Sequence, residues 1–195
     1  STNDGVSWTP ANSGMANITV KAIAVSGTNL FAGTPGNGVY LSTNNGASWK
    51  AVNSGLTNTN IQALVTAGTN IMAGTSGDGV FFSSDNGTSW SPANTNLNKS
   101  DIRSLVLNGL NVLAGSYDDQ GVFILSDNGT TWTPVNTGLA NTSISALAVR
   151  GSDLFAATFK GVYLSTDMGA HWTKTDTTGL SGHIIVNFAV RGSSI

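Results

Sequence analysis

The chain has 195 residues, of which 9% are charged, and its formal net charge is −2. This balance excludes the strongly basic surface by which proteins hold nucleic acid or an anionic membrane. Cysteine is absent, which excludes disulfides and thiol chemistry, and no apolar stretch approaches the roughly 18 residues of a membrane span.

A repeated unit organises the chain. The octet Ser-Ser-Asp-Asn-Gly-Thr-Ser-Trp at residues 83–90 has near-copies that end at Trp8, Trp49, Trp132 and Trp172, and these five tryptophans are the only ones. Their spacings of 41, 41, 42 and 40 residues indicate an array of one supersecondary unit.

Each unit is predicted to contain four short strands. An alternating apolar inner strand comes first, at residues 18–25, 61–67, 102–107, 144–149 and 184–190. The second strands are predicted at 30–33, 71–74, 112–115 and 154–158, and the third at 38–42, 79–83, 121–125 and 161–165. After the octet an outer strand runs through the tryptophan. Four strands in about 41 residues predict an all-β fold, a β-propeller of four-stranded antiparallel blades.

The octet is predicted to be the turn between the third and outer strands. An Asx side chain five residues before each Trp can accept hydrogen bonds from turn N–H groups, and a Gly three residues before it takes positive φ. Each Trp then fills the space between neighbouring sheets, worth about 2 to 3 kcal/mol. The predicted structural residues are Asn3, Gly5, Trp8, Asn44, Gly46, Trp49, Asp85, Gly87, Trp90, Asp127, Gly129, Trp132, Asp167, Gly169 and Trp172.

The carboxylates of the octets also suggest catalysis or calcium ligation. Asn replaces Asp at Asn3 and Asn44 without disturbing the pattern, which a role that needs charge would not tolerate. The structural interpretation is therefore favoured, and no metal, cofactor or catalytic residue is predicted.

The octet resembles the Asp-box, or BNR repeat, Ser-x-Asp-x-Gly-x-Thr-Trp. This repeat occurs in sialidases, sortilin-type receptors, photosystem assembly factors and secreted bacterial repeat proteins, and the chain is most similar to the last group. Leu125 departs from the pattern at the first Ser, and His171 departs at the Thr. In those families the motif is structural, so the resemblance implies a β-propeller and no particular activity.

The repeat sets the expected organisation of the domain. Units at about 11–52, 53–93, 94–135 and 136–175 form four complete blades of a single domain over 1–195, and a fifth blade is split between 1–10 and 183–195. Aligning the two ends leaves about ten residues of that blade missing. Three explanations remain open: part of a larger propeller, a five-bladed ring with an incomplete last blade, or an edge that accepts a strand from a neighbour.

Candidate ligand residues come from the loops between second and third strands, which vary most between units. Tyr117, Asp118 and Asp119 form the only local cluster of an aromatic residue with two carboxylates, which could bind sugar hydroxyls or calcium; the alternative is a solvated loop tip. Arg103, Arg150 and Arg191 lie on or after inner strands and could share an anion site.

Three functions are compatible with this pattern. The favoured one is a non-catalytic extracellular scaffold or binding propeller that recognises a protein or glycan through the loops of one face. A second is a self-assembling protein that forms oligomers or filaments through the incomplete blade. A sialidase-like glycosidase is third, since the chain has no glutamate. Low charge favours export, so the chain is predicted to be secreted or at the cell surface.

Overall fold

The structure is a computed structural model that describes residues 1–15, 17–97, 99–126, 131–180, 184–192 and 195. Within these residues the chain forms β-strands and no helix, so the predicted all-β class is confirmed. The strands are β1 Ala22–Ser26, β2 Asn29–Thr34, β3 Gly38–Ser42, β4 Lys50–Ala51, β5 Ile61–Ala67, β6 Asn70–Thr75, β7 Val80–Ser83, β8 Ser91–Pro92, β9 Ile102–Asn108, β10 Asn111–Ser116, β11 Val122–Leu125, β12 Thr133–Pro134, β13 Ile144–Arg150, β14 Asp153–Thr158, β15 Gly161–Ser165 and β16 Thr173–Lys174.

The strands pair as four antiparallel sheets of four strands, each in chain order: β1–β4, β5–β8, β9–β12 and β13–β16. We call these the first to fourth blades. The inner strands of successive blades contact one another, β1 with β5, β5 with β9, and β9 with β13. The predicted propeller blades are therefore confirmed.

The outer strands differ from the prediction, because they begin one residue after the tryptophan instead of running through it. The backbone N–H of Trp90 donates at 2.8 Å to the carbonyl of Ser54, in the loop that leads from β4 to the second blade. Trp49, Trp132 and Trp172 make the corresponding bond to Ser13, Thr95 and Thr137. That N–H is not available to the sheet, so the outer strand keeps only two ladder residues in each blade.

The apolar core lies between blades. Phe31 and Val39 of the first blade pack with Ile61, Leu64 and Phe81 of the second, and the cluster recurs at the next two interfaces. A side chain at Gly74 would collide with Ile102 of the next blade, so the small residues of the second strands permit this close approach. Each blade is thus stabilised mainly by its neighbours.

The described residues of the two predicted parts of the fifth blade do not form strands. Residues 184–190 were expected to be an inner strand, yet none of them is in a sheet, although Ile185 and Phe188 pack on Phe155 and Val162 of the fourth blade. The segment therefore has the packing of an inner strand without its ladder hydrogen bonds, because no strand of the described residues pairs with it. The first inner strand is also shorter than predicted and begins at Ala22 instead of residue 18.

Trp8 contradicts the prediction that every octet tryptophan is buried between sheets. Trp90, Trp132 and Trp172 are 5%, 0% and 4% exposed, whereas Trp8 is 78% exposed. Trp49 is intermediate. The difference follows from position, since no described blade precedes the turn that carries Trp8.

Candidate functional site

Two sets of loops share one end of the blades, which we call the upper face. It holds the loops between second and third strands and the loops that lead from each outer strand to the next blade. The two sets are joined by backbone hydrogen bonds, such as Gly79 N–H to Ser100 O and Gly121 N–H to Thr142 O, both 2.9 Å. The upper face is therefore a preformed surface tied across blade boundaries.

The loop of the third blade at residues 117–121 brings an aromatic ring and a cation together. Arg103 lies at the start of β9, and its guanidinium carbon is 3.4 Å from the centroid of the Tyr117 ring. The Arg103 Nη2 atom also pairs with Asp101 Oδ2 at 3.0 Å. Because the carboxylate fixes the guanidinium plane against the ring, this stack is an ordered feature of the face.

Phe159, in the corresponding loop of the fourth blade, completes the cluster. Its ring meets that of Tyr117 edge to face, with 5.5 Å between centroids, and Phe159 is 45% exposed. We call Arg103, Tyr117 and Phe159 the aromatic cluster. Our sequence analysis did not select Phe159; the signal available was a large aromatic residue in a two-residue variable loop.

The two predicted carboxylates beside Tyr117 are used within the protein. Asp118 accepts hydrogen bonds from the hydroxyl of Ser116, the Gln120 amide and the Asp101 backbone N–H. Asp119 accepts from the hydroxyl of Ser143 in the loop that leads to the fourth blade. These bonds hold the loop in place, and among the described residues no group of three His, Cys, Asp or Glu side chains could hold a metal ion.

Arg150 does not join Arg103. Arg103 is near the start of its inner strand, whereas Arg150 is the last residue of β13, about 16 Å further along the strand direction at 3.3 Å per residue. Arg150 pairs with Asp153 Oδ2 at 3.0 Å and lies over the Phe155 ring. Arg103 and Arg150 therefore do not share a site, and an anion site that includes Arg191 stays a prediction.

The lower end of the blades holds the octet turns. In the second blade the backbone N–H of Ser89 donates to Asp85 Oδ1 at 2.9 Å, and Ser83 Oγ donates to the same oxygen at 2.8 Å while accepting from Gly87 N–H at 2.9 Å. The same bonds recur around Asn3, Asn44 and Asp167. Asp127 and Gly129 lie outside the described residues.

The structure explains how Asp and Asn alternate at one position. Ser89 Oγ donates to the carboxylate of Asp85 at 2.6 Å, whereas the amide of Asn44 donates to Ser48 Oγ at 2.9 Å. A serine hydroxyl can act as donor or acceptor, so it adapts to either side chain. Hydrogen bonds from the Ser89 hydroxyl and backbone N–H lower the pKa of Asp85 to about 2. Those from the His171 backbone and ring lower the pKa of Asp167 to about 2.

One requirement of the turns escaped the sequence analysis. The residue before each described turn glycine also has positive φ: 54° at Asp4, 55° at Asn45, 57° at Asn86 and 60° at Met168. The Asn-Gly pairs of the octet are the recognised signal for this conformation. Met168 adopts it without the local hydrogen bonds that an Asn or Asp side chain can provide.

An apolar cavity of about 270 Å³ opens between the second and third blades. Met72, Phe82 and Leu107 line it together with Leu125, which stands where the other octets have Ser. Leu125 packs with Trp132, so the residue that breaks the repeat adds to the core at this interface. The sequence showed the departure at Leu125 but not the cavity.

A family model described as the DUF6242 beta propeller domain matches residues 1–108. The chain belongs to this family. A search of curated proteins by sequence found no match. Among the described residues of this chain, there is no helix that is long and apolar enough to cross a membrane.

Solved structures show the same fold. An ancestral GH74 enzyme matches 86% of this chain with a TM-score of 0.70 and 25% identity. The GH74 xyloglucanase from Xanthomonas campestris matches 89% with a TM-score of 0.73 and 18% identity. The extracellular domain of BT4673 from B. thetaiotaomicron matches 89% with a TM-score of 0.72 and 21% identity. The chain spans 25%, 34% and 25% of these three structures, respectively.

Proposed function

We propose that this DUF6242 propeller is a non-catalytic extracellular binding domain that holds a neutral glycan at the aromatic cluster of its upper face. The observation that carries the proposal is the contact of Tyr117 with both Arg103 and Phe159 on a loop tied to two blades. Aromatic faces with a few fixed polar groups are the usual composition of small-molecule sites.

Preorganisation favours this surface over other loops of the upper face. Ordering a flexible loop or side chain on binding costs about 0.5 to 1.5 kcal/mol for each immobilised group. Here the loop is already held by the Thr142 hydroxyl, which donates to Asp119 O at 2.8 Å, and by the Tyr117 N–H, which donates to Asp101 O at 2.8 Å. Binding therefore requires little further ordering of this loop.

The carboxylates beside the aromatic cluster, Asp101, Asp118 and Asp119, support glycan binding over glycoside hydrolysis. Hydrolysis requires one carboxyl group that carries a proton and a second one free to act as base or nucleophile. Asp101 is paired with Arg103, and the described hydrogen bonds commit Asp118 and Asp119 to the loop. The similarity to GH74 structures concerns the fold, and the chain spans only 25% to 34% of them.

The proposed ligand class follows from the low charge of the chain, and the proposed location follows from the similar solved structures. A chain with 9% charged residues presents mostly hydroxyl and amide groups, which suits an uncharged, hydroxyl-rich ligand better than an ionic one. The X. campestris structure is named a xyloglucanase, and the BT4673 structure is an extracellular domain. Both support an extracellular polysaccharide as the first ligand to test.

Affinity electrophoresis in gels that contain xyloglucan or another neutral polysaccharide tests the proposal. We expect Tyr117→Ala and Phe159→Ala each to weaken retention at least tenfold. Leu110→Ala is the control, because Leu110 is an exposed apolar residue, 70% accessible, in the turn at the opposite end of the third blade. Retention that is absent in the wild type, or unchanged in both aromatic variants, would refute a glycan site at the aromatic cluster.

A further inference from the structure

The tryptophan that ends an octet binds to backbone carbonyls of the loop before its blade. We call this binding site the seat. The indole N–H of Trp90 donates to Val52 O at 2.8 Å, and its backbone N–H donates to Ser54 O at 2.8 Å. The indoles of Trp49, Trp132 and Trp172 donate in the same way to Ala11, Ala93 and Val135. The seat is therefore built from the two carbonyls that lie three and five residues after the preceding tryptophan.

Each occupied seat also has an apolar residue, which follows a glycine in three of them, whereas Asn96 stands at the glycine position in the seat of Trp132. A side chain at Gly55 would collide with the carbonyl oxygen of Trp90, so the two backbones touch at that point. The next residue, Leu56, packs in the cluster that contains Trp90. Gly138 and Leu139 repeat this arrangement with Trp172.

The fourth blade carries a corresponding seat, which has no occupant among the described residues. Its turn is one residue longer than that of the third blade, so Thr178 stands where Thr137 does. Thr175 continues from Trp172 as Val135 does from Trp132, and its N–H bonds to Val162 O as that of Val135 bonds to Val122 O. The following turn closes through Leu180 N–H to Thr177 O at 2.8 Å, as Leu139 N–H closes on Asn136 O. Nothing lies within 4 Å of the side-chain direction of Gly179, and Leu180 is 48% exposed.

The matching occupant is at the other end of the array. Trp8 ends a complete octet turn, with Ser7 N–H donating to Asn3 Oδ1 at 3.0 Å and Gly5 N–H to Ser1 Oγ at 2.8 Å. The turn is thus formed and presents an indole that is 78% exposed. Within the described part of the chain, the exposed indole of Trp8 and the open seat of the fourth blade lie at opposite ends of the four blades.

We propose that copies of this chain associate head to tail, with Trp8 of one copy in the seat formed by Thr175, Thr178, Gly179 and Leu180 of the next. The contact is heterologous, so it produces a closed ring or an open filament depending on the angle between copies. It does not depend on glycan binding, because the seat lies outside the aromatic cluster.

A mixing experiment tests the direction of the contact. The wild-type chain should show a molar mass that rises with concentration in sedimentation or light scattering. Trp8→Ala removes the indole, and Leu180→Asp places a charge in the apolar part of the seat. Each variant alone should associate at least about 30-fold more weakly than the wild type, the loss typical of a central tryptophan. An equimolar mixture should recover a one-to-one dimer, because the first variant keeps an intact seat and the second keeps an intact Trp8.

Both altered side chains are exposed, so both variants should retain the wild-type circular dichroism spectrum and urea midpoint. Leu110→Ala, an exposed apolar substitution elsewhere, should associate like the wild type. Should Leu180→Asp lower the urea midpoint, Leu180→Ala replaces it in the mixture. A wild-type chain that stays monomeric, a Trp8→Ala variant that associates normally, or a mixture that forms no dimer would overturn the proposal. A glycan-binding monomer would overturn it while leaving the proposed function intact.

Discussion

Replacing Trp90 by alanine should destabilise the chain far more than the same change at Trp8. Trp90 is 5% exposed between the first and second blades, and its indole N–H donates to Val52 O at 2.8 Å. A buried tryptophan covers about 200 Å², which at about 25 cal/mol per Å² corresponds to roughly 5 kcal/mol. Measured losses for buried Trp or Phe to alanine are about 3 to 5 kcal/mol.

The lost hydrogen bond adds to that cost, because Val52 O is left without its partner, at about 1 kcal/mol or more. We therefore expect Trp90→Ala to lower the free energy of unfolding by about 4 to 5 kcal/mol, a large part of the 5 to 15 kcal/mol typical of a domain. Trp8→Ala should change it by no more than about 0.5 kcal/mol, since Trp8 is 78% exposed.

Urea unfolding followed by far-ultraviolet circular dichroism measures both variants, at a concentration where the chain is monomeric. Circular dichroism is preferred to fluorescence because each substitution removes one of the five tryptophans that contribute to the emission. Trp90→Phe separates the two contributions: it keeps most of the apolar contact and removes the N–H, so we expect a loss of about 1 to 3 kcal/mol. Equal losses for Trp90→Ala and Trp8→Ala would show that the tryptophans act within their own turns and not between blades.

Two further predictions concern the octet turns. Asp85 and Asp167 have pKa values of about 2 in the folded chain against 3.8 for an ordinary aspartate carboxyl, so the stability that they confer is complete above about pH 4 and is lost as the pH falls towards 2. Asp85→Asn, the residue found at Asn44, should preserve the urea midpoint at neutral pH and make its decline between about pH 4 and pH 2 shallower; an unchanged acid profile would contradict this. Asn86 has a φ of 57°, so Asn86→Ala should cost roughly 1 kcal/mol in the same urea assay and Asn86→Gly only a few tenths. Equal losses for these two variants would show that backbone conformation is not the cause.

The repeat predicted much of the fold because its signals are local. Alternation identified the strands, and the recurring octets fixed the length of each blade, so β3 and β5 have the predicted bounds. The limits of the outer strands were not predictable in this way. They depend on a hydrogen bond from Trp90 N–H to Ser54, which lies in the loop before the second blade. The local sequence around Trp90 does not indicate that partner.

The aromatic cluster was predicted in part for a similar reason. Tyr117 stood out within its own loop, but its partners Arg103 and Phe159 are 14 residues before it and 42 residues after it. Arg103 was selected, but it was grouped with Arg150 and Arg191, because all three lie on or after inner strands. The ends of those strands are separated in space, and only the register of β9 and β13 shows which end each Arg occupies.

The sequence by itself determined the unit: its strands, its turns and the number of complete blades. Periodic apolar residues, Gly and Asx have the same local effect wherever they occur, so a repeated pattern folds into a repeated blade. Tertiary structure decided what each copy does. Two similar octets leave Trp90 buried and Trp8 exposed, because burial of an indole requires carbonyls and apolar side chains that precede the blade and that the octet itself does not contain.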